Sequence, residues 1–364
     1  MTLIISTIVS PDLRAALGSL KAFFIEPIVF VALALPMLDE RDRKTAFLSL
    51  LGGGMFVALT GIAQYVFDAG IPAPWDVERR VTGVFPYPNA LGLYLAPLIT
   101  IGVASLAQKI EWTRRQRVFI IKAVILSTIA IVLSQTEAAW VSIPAALLFG
   151  WFINGSRRVR IILGSVVIIS LILTFQPFLA LPGPLSGGAG SGFAGQPFLQ
   201  KLTLQDPSGH TRLVQWHETA AFLKDHWFLG AGLSGYPTVI QPYHLALEQE
   251  IFQDPHNIIL NVWVEMGLVG LLMVGLLVVM IAKAAWKRRA DPIGVSSFLA
   301  LVQIAIHGLV DVPYFKNDLS VLTVFLVGLI LIPSHVQDKS PHLFSFLRSA
   351  ARYVVSLGRR IFAS

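Results

Sequence analysis

His256 and Asn257 stand where the polar stretch ending in Asp254-Pro255 stops and a long apolar run begins, and Glu265 lies nine residues further on. An imidazole titrates near neutrality and can take a proton from an attacking hydroxyl. A carboxylate inside an apolar run is costly unless paired, which makes it a functional candidate. On these residues alone a second reading stays open: a histidine at a lipid headgroup boundary and a glutamate paired with a neighbouring helix. Cations accompany them elsewhere in the chain. Glu78-Arg79-Arg80 precedes Asn89 and Gly92, His210 and Arg212 stand in a polar segment, and His307, Asp311, Tyr314 and Lys316 follow in a late loop. Arginine matches phosphate oxygens bidentately and keeps its charge at any relevant pH. Together these groups suit metal-independent transfer from a lipid pyrophosphate, with arginines holding the leaving group and an imidazole serving the acceptor. The alternatives are Arg79 and Arg80 against lipid headgroups, Arg212 as a solvated helix residue, and Gly83, Asn89 and Gly92 as turn and packing residues. His307 and Asp311 are four apart, and a hydrogen bond between them fits a structural pair or a proton relay equally.

The elements that must carry these residues are membrane helices. The chain has 364 residues, 55% hydrophobic and 13% charged, with mean hydropathy +0.69; soluble domains carry roughly 25% charged residues. Nine segments are long and apolar enough to cross a bilayer, near 21–38, 45–68, 88–107, 117–134, 137–154, 159–180, 257–282, 294–312 and 318–333. The second and third contain Gly52-Gly53-Gly54 and Gly61, which suit close helix packing. Basic clusters at Lys109–Arg117, Arg157–Arg160 and Lys283–Arg289, with a basic tail, fall on one side of the helix count, which the positive-inside rule makes cytoplasmic. The net charge of +7 is therefore a membrane signal and not a nucleic-acid one. The segment 181–256 falls on the outer side, with a flexible Gly-rich part over 181–200 and a helix over 208–229. Ser208 would cap that helix, whose apolar face would be Leu213, Trp216, Ala220 and Leu223. A second short helix is expected from Tyr243 to Phe252. Residues 1–20 read as an N-terminal segment, the remnant of a preceding helix, since nine crossings put the two termini on opposite sides. Residues 334–364 read as a cytoplasmic amphipathic basic tail lying on the anionic inner leaflet.

Several classes are excluded. There are no cysteines, so disulfides, iron–sulfur clusters and thiolate nucleophiles are out. No P-loop or GxGxxG follows a strand-like segment, and the histidines are too scattered for a metal site. No cofactor is expected.

Three stretches resemble the bacterial O-antigen ligases and the related polysaccharide polymerases and protein oligosaccharyltransferases. They are Arg80-Val-Thr-Gly-Val-Phe-Pro-Tyr-Pro-Asn89-Ala-Leu-Gly92; Arg212 to Trp216 with Asp225-His-Trp-Phe-Leu-Gly230-Ala-Gly232; and Asp254-Pro-His256-Asn257 with Gly267 after nine intervening residues. The resemblance covers roughly 45–333. It implies an all-α polytopic, GT-C-like helical bundle in the bacterial inner membrane, with a large periplasmic loop between the sixth and seventh helices. The implied reaction is inverting and metal-independent transfer of a glycan from undecaprenyl pyrophosphate to a glycan, lipid or protein acceptor at the periplasmic face. By position it makes Arg80 and Arg212 pyrophosphate ligands and His256 the group that activates the acceptor; Asn89 and Asn257 join them as substrate-binding candidates. Where family members often carry Ser-Arg before the fifth helix, this chain has Ser134-Gln-Thr-Glu137, so Arg79 or Lys316 is expected to substitute. Members usually have about a dozen helices with both termini inside, which fits an N-terminally shortened chain. A polymerase using the same donor class is the nearest alternative. A lipid-linked glycan transporter and a non-catalytic envelope scaffold are the rivals from other classes.

Overall fold

The computed structural model describes residues 1–34, 40–153, 207–244 and 250–331, together with 157, 160–162 and 164–165. Most of the sixth expected segment, the Gly-rich stretch 181–200 and the tail 334–364 lie outside the described residues. Among the described residues every regular element is helical. They are α1 (Thr2–Ile8), α2 (Leu13–Ala34), α3 (Glu40–Phe67), α4 (Pro88–Ala107), α5 (Arg114–Ser134), α6 (Glu137–Ile153), α7 (Pro207–His226), α8 (Ile258–Lys287), α9 (Pro292–His307) and α10 (Asn317–Leu331). Five of them, α2, α3, α4, α5 and α8, have the length and apolarity to cross a membrane; α6, α9 and α10 are shorter apolar helices. This is an integral membrane protein.

Local chemistry sets most boundaries. Thr113 and Gln116 close a capping box at the start of α5, and Pro88 and Pro292 occupy first-turn positions of α4 and α9 where no N–H is needed. Gln135 takes the left-handed conformation (φ 55°) and ends α5, so α6 starts two residues later. Three expectations are corrected. The first span runs from Leu13, not from residue 21, and includes a π-helical stretch at Leu20–Ile25. The eighth ends at His307 and not at residue 312, because the chain turns at Gly308 and stays non-helical until α10. In place of a helix from Tyr243 to Phe252 there is a one-turn helix at Tyr236–Val239, a 3-10 turn at Gln241–Tyr243 and non-helical chain at 250–252; residues 245–249 lie outside the described residues.

The central helix is α4. Its apolar window is 89% buried, against 33% for both α3 and α5, and it packs against α3, α5, α6 and α9. Gly54 faces Leu98 on this helix, where a Cβ would overlap the leucine side chain. The loops gather at two ends. At one, Arg43 reaches Asp291 and the Leu329 carbonyl. At the other, the 68–87 loop, the 135–136 turn, α7 with its flanks and the 308–316 loop come together.

Candidate functional site

The site at that second end is built on α7 and on the break in α8. The expected apolar face of α7 is only partly the buried one, with Leu223 buried in an apolar cluster. Leu213 is 42% exposed, while Gln215, Glu218, Thr219 and Phe222 turn inward at i, i+3, i+4 and i+7. The polar stripe faces in because its partners are polar: Thr219 bonds the Tyr236 hydroxyl at 3.0 Å, and Glu218 takes His244 at 3.1 Å. Ser208 lies inside the first turn, not at the cap, and its hydroxyl accepts from Arg212.

His256 meets Gln215 of this stripe. Its Nδ1 lies 3.1 Å from Gln215 Oε1, and its backbone N–H donates to Asp254 Oδ1 at 3.0 Å. The same carboxylate oxygen is 3.9 Å from Nδ1. The residue takes the left-handed conformation (φ 48°), uncommon without glycine, and Phe252 packs edge-on at 5.1 Å. Trp216 fixes the turn from outside by donating to the Pro255 carbonyl at 3.0 Å. The imidazole keeps 25% of its surface open. Asn257 is occupied at both ends of its amide. Its oxygen caps α8 through Ile259 N and Leu260 N, and its Nδ2 donates to the Leu309 carbonyl at 2.9 Å.

Ten residues into α8, Gly267 adopts φ 66°, ψ −177° and breaks the helical ladder. The turn after α7 seats there: Ala231 N–H donates to the Val264 carbonyl at 2.6 Å and Leu268 N–H to Phe228 at 3.1 Å. A Cβ on Gly267 would overlap the Phe228 carbonyl, and one on Gly230 the Val264 carbonyl. The His-Asn-x9-Gly spacing is thus a cap at one end of a helical segment and a break at the other. Between them α7 is held to α8 at two levels, which sets Gln215 opposite His256.

The cations split. Arg212 donates from Nε to the Val310 carbonyl at 2.9 Å. Lys316 donates to the Val312 carbonyl at 3.4 Å and stands 5.7 Å from the Tyr87 ring. Burial alone would lower the Lys316 pKa; Tyr87, Asp254 and Asp311 outweigh it, so the net shift is upward and the ammonium stays charged. Arg80, with its side chain 18% exposed, donates to the Ser134 carbonyl at 3.1 Å and to Asn89 Oδ1 at 3.4 Å, and lies over Trp75. Burial lowers its pKa against the fields of Glu78 and Glu137. Tyr87, Lys316, Asp254, His256 and Gln215 therefore form one cluster of neighbours; Arg212, one helical turn before Gln215, bonds the loop that carries Lys316, and Arg80 bonds Asn89, two residues after Tyr87. Arg79 is not in this cluster. It pairs with Asp68 at 3.0 Å, donates to the Tyr65 carbonyl and lies 4.8 Å from the Tyr65 ring centroid. His210 is exposed.

Of the two residues expected to replace the missing family arginine, Lys316 is the one in the cluster. Thr136 fills the departing stretch. Its hydroxyl donates to the Pro88 carbonyl at 3.1 Å, and its side chain occupies the space a Cβ on Gly92 would need. His307 makes neither the pair nor the relay with Asp311 that its spacing allowed. It is 1% exposed, its Nδ1 lies 3.3 Å from Gln303 Nε2, and its Nε2 has no partner. Sequence reasoning missed Gln215 and Tyr87 and left Asp254 without a role. Gln215 stands three residues after Arg212, one helical turn on, and Tyr87 two before Asn89; that spacing was the only signal available. Among the described residues no three His, Asp or Glu side chains converge as metal ligands.

Residues 123–275 match the family model described as O-antigen ligase, from within α5 to within α8, taking in Arg212, His256, Asn257 and Gly267. No curated protein matches the chain.

Proposed function

From this O-antigen ligase-related family, supported by residues 123–275, we propose a membrane glycosyltransferase that moves a glycan from undecaprenyl pyrophosphate to an acceptor hydroxyl or amide. The donor's pyrophosphate lies against Arg212, Lys316 and Arg80. Each of these donates to main-chain carbonyls, so binding the donor exchanges neutral acceptors for charged ones. His256 takes the acceptor's proton. The acceptor oxygen or nitrogen attacks the anomeric carbon from the side away from the leaving group, and the bond from that carbon to the pyrophosphate oxygen breaks. The electron pair leaves on undecaprenyl pyrophosphate, where the three cations stabilise it. The anomeric centre is inverted. In this reading the cations supply the charge that a metal ion supplies elsewhere, Asn89 and Asn257 hold Arg80 and the head of α8 in place, and Arg79 stays outside. In this reading the basic clusters at the Arg43 end lie on the cytoplasmic side of a bacterial inner membrane, as the positive-inside rule favours, and the site on the periplasmic side.

The observation that carries this reading is a partly open imidazole at the same end of the bundle as three carbonyl-held cations. Its test supplies purified protein with a lipid-pyrophosphate glycan and candidate acceptors and identifies the product by mass. His256→Ala is expected to lower the rate by about 10²–10⁴-fold. Unchanged transfer by both His256→Ala and Arg212→Ala would overturn the site. Ligase and polymerase share this chemistry and differ in the acceptor, so the product's mass also separates them.

A further inference from the structure

A general base must present a lone pair to the acceptor, and a neutral imidazole has one on only one nitrogen. What the second nitrogen bonds decides which. At His256 two groups can reach Nδ1: Gln215 Oε1 at 3.1 Å and Asp254 Oδ1 at 3.9 Å. The carboxylate oxygen is already engaged by the His256 backbone N–H at 3.0 Å. The closer partner is a neutral amide oxygen on a residue only 5% exposed. An amide oxygen can only accept, so Nδ1 carries the proton and Nε2 the lone pair. The other charged groups nearby are committed elsewhere: Glu218, one turn along α7, to His244, and Arg212 to Val310 and Ser208. The chain holds a contrasting case in His307. There the Gln303 side chain faces Nδ1, the buried Nε2 has no partner, and the ring is sealed from any acceptor.

We infer that Gln215 is the positioning residue of the reaction: its buried amide oxygen fixes the His256 tautomer that leaves Nε2 free as the base. This rests on the glycan-transfer reading above and adds to it the identity and the neutral character of the group behind the base. The neutral amide makes the direct bond to the ring, and the Asp254 carboxylate stands further off at 3.9 Å.

The experiment compares Gln215→Leu and Gln215→Glu in the purified full chain, measuring kcat and donor KM across pH. Gln215→Leu keeps the volume and removes the acceptor. Its kcat is expected to fall about ten- to a hundredfold, with donor KM unchanged because the cations are intact. Gln215→Glu keeps an acceptor oxygen at the same place and adds a charge. A carboxylate at hydrogen-bond distance favours the imidazolium, so the acid limb of the pH–rate profile should move up by about one unit or more. A limb that moves places the residue 215 side chain against the ring of the base. Should Gln215→Leu fail to fold, Gln215→Glu carries the test alone. Nitrogen NMR of histidine-labelled protein reads the tautomer directly and should show Nδ1 protonated at His256. An unmoved acid limb in Gln215→Glu, or a proton found on Nε2, overturns the inference. Full activity in His256→Ala overturns the transfer reading beneath it, so the two failures are distinguishable.

Discussion

The two ends of the helical bundle handle buried cations in opposite ways. At one end Arg43 is 1% exposed, and its guanidinium meets the Asp291 carboxylate at 2.6 Å and the Leu329 carbonyl at 2.7 Å. Asp291 also caps α9 by accepting from Ile293 N–H. The pair therefore joins the starts of α3 and α9 to the end of α10. At the other end Arg80, Arg212 and Lys316 donate hydrogen bonds mainly to neutral oxygens, and Arg80 stands 3.9 Å from the Glu78 carboxylate, beyond hydrogen-bond contact. An ion pair at contact distance satisfies its charge and locks the helices it joins. A cation held by carbonyls is oriented but keeps a charge for an incoming anion. The first arrangement is a fastening; the second is a seat.

The largest effect expected from breaking this contrast is at the fastening. Arg43→Met leaves Asp291 buried without its counter-charge, a change that typically costs about 3–5 kcal/mol. Thermal unfolding in detergent should show it as a large fall in midpoint. Adding Asp291→Asn to the same chain should recover a good part, because the unpaired charge is then gone. A single variant as stable as wild type would remove the distinction between the two ends.

At the seat the balance reverses. Arg212→Gln can still donate a hydrogen bond to the 308–312 loop but offers no charge, so stability should change little. Loss of one donor aimed at developing negative charge typically lowers kcat by about 10²–10³-fold. Kinetics and unfolding measured on the same preparation separate the two. If Arg212→Gln unfolds early and turns over normally, Arg212 is a fastening like Arg43.

How much of this was legible in the sequence follows from the kind of signal each part leaves. Apolar runs between caps and prolines gave α4 within its bounds, because Pro88 and the polar Gln108 stop the run at both ends. His256, Arg80 and Arg212 were readable as charged or titratable residues at the edges of such runs. Gln215 was not, since a neutral amide inside a polar helix carries no mark until His256 is placed opposite it. The apolar face assigned to α7 held only in part, for a related reason: Leu223 is buried with Phe222 in an apolar cluster, but Gln215, Glu218 and Thr219 also turn inward while Leu213 stays exposed. Asn257 was read as a ligand because its place beside His256 is all the sequence shows. Gly267 was marked in the sequence only by its spacing from His256 and Asn257, and the positive φ that requires a glycine there shows only in the structure.

Asn257→Ala gives a smaller effect and tests what joins the seat together. Losing an N-cap of this type costs about 1 kcal/mol, and the bond to the Leu309 carbonyl goes with it. That loop also carries the Val310 carbonyl that holds Arg212. The expected outcome is a modest fall in unfolding midpoint with donor KM raised more than kcat is lowered. An equal loss in a chain whose Arg212 is already Gln would show that Asn257 acts independently of that cation.

The smallest effect belongs to Arg79, which shares a sequence neighbourhood with Arg80 and nothing else. Its side chain is 48% exposed and its partner Asp68 68% exposed, so solvent screens the pair. Exposed pairs contribute about 0.2–1 kcal/mol, and the stacking on Tyr65 adds little where water reaches both faces. Arg79→Gln should therefore shift the unfolding midpoint slightly and leave glycan transfer within about twofold, a scale on which about 0.4 kcal/mol is the limit. The same substitution one residue on, Arg80→Gln, removes a charge that donates to the Ser134 carbonyl and Asn89. Adjacent arginines with unequal kinetic effects would show that the partner's chemistry, and not the position at a membrane boundary, decides which cation serves the reaction. Equal effects would return both to the headgroup region and leave Arg212 and Lys316 as the seat.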